Sequence, residues 1–302
     1  MAEIEPRKQK YLASRFPETI IFQDVGDTAR NCAPTADGGS AKVDLLAAGF
    51  PCVSVSNLTT TPGSVIDPSC SSGYGFLGVE RYVKRHRPKM VLLENVRSLF
   101  EKRQVEGGDS AYEIVRRRLA KLGYAVSGAV YNTADFGLPQ QRNRAWLLCV
   151  LESELATSES QLEKDMNLFR RHCTPMSKCV DLSATFEKEP QERKPGKPGK
   201  PDAKWRDALD QQFDIYGKVA ILACAVEDLA LNKKVDAMKE LLVVQELARL
   251  QGVGCVEWSD YRMGEESPAL IRSFIGNAFS APINLAALAS VLANWNAEAS
   301  QV

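Results

Sequence analysis

Three short stretches of this chain carry side chains able to do chemistry together: Pro51-Cys52, Glu94-Asn95-Val96, and the run Gln140 to Arg144, which spaces Gln140, Arg142 and Arg144 two residues apart. A cysteine is a nucleophile only as its thiolate, so it needs a partly open site and neighbours that move protons. Cys52 follows the apolar run DLLAAGF at 44–50, and in open α/β sheets reactive groups sit beyond the carboxyl ends of strands. By position alone a lone cysteine there reads more readily as a small buried residue at a strand end. Val91-Leu92-Leu93 delivers Glu94 in the same way, on a strand expected beside the one that carries Cys52. A carboxyl group in a crevice partly cut off from water holds its proton longer and can donate it near neutral pH; the alternative is a salt bridge at a strand end. Arg142 and Arg144, two apart before a strand, share one side. Two guanidiniums there suit a phosphate, a base oxygen or a clamp on Glu94, or else form an exposed basic pair.

These groups need elements to position them. Up to about residue 150, short apolar runs alternate with amphipathic stretches, the pattern of β-α units and a mainly parallel sheet. Strands are predicted at 19–22, 43–46, 90–93 and 145–151, with a Ser/Thr/Gly-rich stretch running from Cys52 to about Gly78. The clearest helix takes its N-cap at Asp109-Ser110, runs from Ala111 to Leu122 and stops at Gly123. Residues 187–204, EKEPQERKPGKPGKPDAK, combine Pro, Gly and mixed charge with almost no apolar side chain; a loop or mobile insert is predicted there. Helical periodicity returns from about Ala208 to Leu250, and a short strand leads into an Ala/Leu-rich helix between Ile271 and Ala293.

Composition narrows the function classes. With 38 Lys+Arg against 38 Asp+Glu in 302 residues, bulk positive charge cannot drive nucleic-acid binding, which must come from a local patch. The eight cysteines, at 32, 52, 70, 149, 173, 179, 224 and 255, include no C-x-x-C pair, and the only histidines are His86 and His172, so neither a disulfide framework nor a metal site is predicted. The charged start and the absence of a long apolar run predict no signal peptide and no membrane span, hence an intracellular protein.

Taken in order, Pro51-Cys52, Glu94-Asn95-Val96 and the Gln140, Arg142, Arg144 spacing resemble the cytosine-C5 methyltransferase family. AEIEPRKQ at 2–9 is similar to the segment whose acid holds the ribose of S-adenosyl-L-methionine, which assigns Glu3. RFPETIIFQDV at 15–25 is similar to the next, with Asp24 at the adenine. QELARLQG at 245–252 and Ile275-Gly276-Asn277-Ala278 resemble the family's last two motifs. The resemblance covers nearly the whole chain apart from about residues 155–240. It implies a Rossmann-like α/β sheet of the class I methyltransferase type with a smaller target-recognition lobe: a catalytic domain at 1–151, the lobe at 152–240 with its insert at 187–204, and a return to the catalytic domain at 241–302. It further implies base flipping of cytosine out of DNA, attack on C6 by Cys52, N3 held or protonated by Glu94, and methyl transfer to C5. Arg142 and Arg144 would anchor the base and the loop after Cys52. Pro51, Asn95, Val96 and Gln140 would shape the pocket, with Glu3, Asp24 and Asn277 on the cofactor side. Lys and Arg residues around 188–206 would touch backbone phosphate. The implied location is nuclear in a eukaryote, cytoplasm or nucleoid in a bacterium.

The sequence departs from the family's pattern in places. The Gly-rich turn Asp-Leu-Phe-x-Gly-x-Gly that cradles the methionine part of the cofactor does not precede residues 2–9; the expectation is a truncated gene model, or a protein partner that supplies the motif. Val53 stands in place of the usual Gln, Gln245 in place of an Arg and Phe274 in place of a Gln. Three readings stay open: a DNA cytosine-5 methyltransferase, a non-catalytic member that binds DNA or a regulatory partner, and a tRNA cytosine-5 methyltransferase. The Cys-Phe-Thr signature of the tRNA branch is replaced here by Cys52-Val53-Ser54.

Overall fold

A computed structural model describes residues 1–28, 43–57, 59–174 and 278–296; the insert at 187–204, the motif at 245–252 and Asn277 lie outside these residues. The chain divides into two compact units. One comprises Met1–Tyr131, Asn143–Arg170 and Ile283–Val302; the other comprises Asn132–Arg142 and Arg171–Pro282.

The first unit is built on a four-stranded sheet in the order β1-β2-β4-β3, with β1 at Leu45–Gly49, β2 at Met90–Val96, β3 at Tyr124–Asn132 and β4 at Asn143–Leu151. Strands β1 and β2 are parallel, with Leu45 opposite Met90 and Gly49 opposite Glu94. Strand β4 runs antiparallel to β2, with Val96 opposite Arg144. The described sheet is therefore mixed where a mainly parallel one was predicted. The reversal of β4 brings its first residues to the carboxyl end of β2, where the candidate site lies. Met90 to Leu93 are all buried, as expected of a strand covered on both faces, and Val91 and Leu93 join Phe76, Val79, Val83, Val115 and Leu147 in one apolar core.

The helices among the described residues are α1 at Pro6–Arg15, α2 at Val25–Thr28, α3 at Ser71–His86, α4 at Ala111–Lys121, α5 at Glu159–Leu168 and α6 at Ala281–Ala293. Helix α4 begins and ends where its sequence dictates. The Ser110 hydroxyl accepts from Glu113 N at 3.2 Å, and the Glu113 carboxylate accepts from Ser110 N at 2.7 Å, a complete capping box. The bonds that the Glu113 carboxylate accepts from Ser110 N and, at 2.9 Å, from Ser110 Oγ hold its carboxyl below the usual range. Gly123, at φ 81°, ends the helix. Ser110→Ala removes one half of the box and is expected to cost about 1 kcal/mol. Calorimetry should register that as a fall of about 2–4 °C in the thermal midpoint.

Elsewhere the chain departs from its sequence pattern for local reasons. Residues 19–22 make only a single parallel bridge, Ala2 to Phe22, because no longer segment lies alongside them among the described residues. The strand predicted at 43–46 runs instead over Leu45–Gly49. Asp44 serves as its flank, its carbonyl accepting from Met90 N at 2.9 Å and its carboxylate pairing with Lys89 at 2.9 Å. Residues 71–78, the end of the Ser/Thr/Gly-rich stretch, form the first turns of α3.

Three consecutive arginines on α4 each have a carboxylate. Arg116 pairs with Glu159 at 3.0 Å, Arg117 with Asp109, and Arg118 through two nitrogens with Glu80 at 2.6 Å. This basic run is charge-balanced within the fold and offers no bare stripe for phosphate.

Residues near the C-terminus pack on α5 in the first unit. Ser290 donates to the Leu162 carbonyl at 2.6 Å, Asn294 to Asp165 at 2.6 Å and the Trp295 indole to Glu154 at 2.7 Å. No helix among the described residues is long and apolar enough to cross a membrane.

Candidate active site

The parallel register of β1 and β2 decides where the cysteine falls. Gly49 faces Glu94, so the chain leaves β1 level with the glutamate and reaches Cys52 three residues later. Asn95 joins the two strand ends: buried, it donates through Nδ2 to the Phe50 carbonyl at 3.0 Å, while its Oδ1 accepts from Val96 N at 2.9 Å. The peptide that enters Pro51-Cys52 is thus held from β2. From the other side, α3 approaches so closely that a Cβ on Gly75 would come within 2.5 Å of Pro51 Cδ. Pro51 is exposed and Cys52 half-buried. The Cys52 carbonyl accepts from Val55 N at 3.0 Å and Ser56 N at 2.8 Å, so the chain turns immediately after the thiol.

Glu94 is held in place by Arg144, whose Nε lies 3.2 Å from Glu94 Oε1, with both side chains about one-seventh exposed or less. Antiparallel pairing of β2 with β4 places them side by side, since Val96 faces Arg144 and Glu94 faces Trp146. Of the uses open to the arginine pair, Arg144 takes the clamp on Glu94. A guanidinium at that distance stabilises a carboxylate and fixes its direction. Arg142 belongs to the second unit, where it is buried and donates through Nη2 to the Ala278 carbonyl at 3.2 Å; Ala278 directly follows Asn277 in the motif read from the sequence. Gln140, in the same unit, is 1 % exposed, and neither its amide nitrogen nor its amide oxygen has a hydrogen-bond partner among the described residues. A buried amide left so is costly unless some further polar group completes it.

The two acids assigned to the cofactor side are brought together near the chain's first residues. Glu3 N donates to the Phe22 carbonyl at 3.1 Å beside the Ala2–Phe22 bridge, two residues before Asp24. Glu3 Oε1 accepts from Glu5 N at 2.9 Å. Asp24 Oδ1 accepts from Gly26 N and from the Tyr74 hydroxyl at 2.8 Å. The first turn of α3 therefore supports both groups, Tyr74 reaching Asp24 and Gly75 lying under Pro51.

Several further residues position the site beyond those singled out from the sequence. Gly73, Gly75 and Gly78 have the spacing of a dinucleotide turn but lie inside α3, each admitting a close neighbour: the Asp67 carbonyl, Pro51 and Val25. Ser98, Arg103 and Glu106 reach the segment after Cys52 from the chain beyond β2. Among the described residues no group of His, Cys, Asp or Glu could hold a metal ion.

A Rossmann-like methyltransferase sheet with a cysteine and an arginine-held glutamate at adjacent strand ends defines the class. Solved structures bear out the fold: the crystal structure of S. pombe Dnmt2 methyltransferase superposes with a TM-score of 0.56 at 15 % identity, covering 96 % of this chain and 88 % of that one. The chain belongs to the C-5 cytosine-specific DNA methylase family, whose model matches residues 1–292. Among curated relatives, a DNA (cytosine-5-)-methyltransferase DMT5 from Cryptococcus neoformans var. grubii is 31 % identical over 172 residues, 54 % of this chain and 7 % of that protein. The type II methyltransferase M.HaeII of Haemophilus aegyptius is 33 % identical over 131 residues, 43 % of this chain and 36 % of that protein. The matches thus span about a third or less of these relatives' lengths.

Proposed function

We propose that this chain transfers a methyl group to C5 of cytosine in DNA, with Cys52 as the covalent nucleophile and Glu94 as the group that meets N3 of the base. The observation that carries this reading is the pairing of Gly49 with Glu94, with Asn95 holding the Phe50 carbonyl, so that Cys52 and Glu94 lie at the ends of neighbouring strands. Cys52 as thiolate forms an Sγ–C6 bond, and the displaced π electrons make C5 nucleophilic while Glu94 hydrogen-bonds or protonates N3. After methylation, loss of the C5 proton and expulsion of Cys52 Sγ restore the double bond and the enzyme. Arg144 keeps Glu94 aimed throughout, and Gln140 and Arg142 serve the base.

S-adenosyl-L-methionine supplies, when bound, a methyl group on a positively charged sulfur. Glu3 and Asp24 fit its hydroxyls and amine by donor–acceptor chemistry, since a carboxylate offers about four acceptor sites and, among the described residues, Glu3 accepts from Glu5 N and Asp24 from Gly26 N and the Tyr74 hydroxyl. Asn277 is assigned to the same side. DNA contact falls to the lobe at 152–240, with the Lys and Arg residues around 188–206 on the backbone.

Incubating the chain with duplex DNA and methyl-labelled S-adenosylmethionine, then digesting to nucleosides, tests the reading. Label in 5-methylcytosine is expected, and its absence under conditions where both ligands bind contradicts it. Gly75→Ala, which presses a methyl group on Pro51, should lower the single-turnover rate about tenfold or more, because a shift of about 1 Å at reacting groups costs up to about 10².

A further inference from the structure

The segment that follows Cys52 is tied down chiefly from the chain beyond β2, with Ser54 N also donating to Ser72 Oγ of α3 at 3.0 Å. Ser98 donates to the Val55 carbonyl at 2.8 Å. Arg103 donates through Nη1 to the Ser54 carbonyl at 3.1 Å and through Nη2 to the Ser56 carbonyl at 3.4 Å. One 3-10 turn later, the carboxylate of Glu106 accepts from the Ser64 hydroxyl at 2.6 Å and from Val65 N at 2.7 Å. Glu106 is only 7 % exposed, an unusual cost for a carboxylate unless it is doubly bonded as here. The chemistry is complementary: the cation takes carbonyls and the anion takes donors, two residues of opposite charge gripping the two ends of one segment. The nearest anchored carbonyl, on Ser54, lies two residues from Cys52, and Val55 N bonds to the Cys52 carbonyl itself at 3.0 Å.

We infer that Arg103 and Glu106 are positioning residues that hold the Cys52 segment at the height its attack on the base requires. This rests on the function proposed above. Neither residue touches a reacting atom, so their loss should slow the chemical step and leave the cofactor side, built from residues 1–28 and α3, unaffected.

The test uses the full chain with Arg103→Ala, Glu106→Ala and Glu106→Gln. Glutamine keeps an oxygen for Val65 N and offers its amide to Ser64 Oγ, so it restores the grip without the charge. Single-turnover methyl transfer should fall about tenfold to a hundredfold in the two alanine variants and stay within about threefold of the parent in Glu106→Gln. S-adenosylmethionine affinity by calorimetry should not move. In parallel, iodoacetamide labelling read peptide by peptide should be faster at Cys52 in the alanine variants, taking Cys173, which is exposed, as the internal reference. Alanine variants that match the parent in both rate and labelling overturn the inference. So do variants that lose rate and cofactor affinity together, which would signal general unfolding. If the parent itself transfers no methyl group, the proposed function fails, and the labelling arm alone decides whether Arg103 and Glu106 hold Cys52.

Discussion

Cys52→Ser should reduce methyl transfer by about 10³-fold or more, as removal of a covalent nucleophile does, while the protein stays folded and binds DNA and cofactor as before. The size of the effect follows from the chemistry of the step. A serine hydroxyl in the same place is hardly ionised at neutral pH, so addition to C6 stalls and C5 never becomes nucleophilic. The structural cost is small, because serine differs from cysteine by one atom at a half-buried position and the Cys52 carbonyl keeps its bonds from Val55 and Ser56. Labelled methyl transfer, together with circular dichroism on the same preparation, checks both halves; a Cys52→Ser protein that methylates at the parent rate removes the thiol from the mechanism.

Glu94→Gln is expected to slow the reaction by about 10²–10⁴-fold, the usual contribution of a positioned acid or base. Glutamine retains an oxygen able to accept from Arg144 Nε, now 3.2 Å from Glu94 Oε1, so the thermal midpoint should change little. What is lost is the exchangeable proton and negative charge at N3 of the base. This separates a chemical role from a structural one: were Glu94 only the partner of Arg144, Glu94→Gln would keep its rate. Single-turnover kinetics and thermal melting of the same variant distinguish the two.

Much of this site was legible from residue order, and the reasons are local. A cysteine and a glutamate placed directly after apolar strands must emerge at strand ends, and the capping of α4 by Ser110 and Gly123 follows from backbone geometry that few residues satisfy. Strand β3 was not legible. Its centre carries Ser127 and Gly128, which weaken a strand pattern, and the glycine is there because the Tyr112 ring lies where a side chain would go, 2.4 Å from a Cβ. The direction of β4 was hidden for a different reason. Periodicity gives a strand its extent and never its partner, so the clamp of Arg144 on Glu94 is singled out from the other uses of the arginine pair only once β4 is seen to run against β2. The grip of Arg103 and Glu106 on residues 54–65 was likewise invisible, since two opposite charges three apart read as a solvated turn until their partners are known.

The even charge count also takes on a more specific meaning. Arg116, Arg117 and Arg118 are each paired with a carboxylate within the fold, so part of the balance is local.

The proposal stands or falls on a bond between Cys52 and cytosine C6, and that bond can be caught. In a duplex whose cytosines carry fluorine at C5, methyl transfer leaves no proton to remove from C5, so expulsion of the thiol is blocked and the adduct accumulates. Mass spectrometry of the digested complex should find the modified base on the peptide containing Cys52, and only when S-adenosylmethionine is present to complete the transfer. An adduct on another cysteine, or methylated DNA with no adduct at all, would contradict the mechanism.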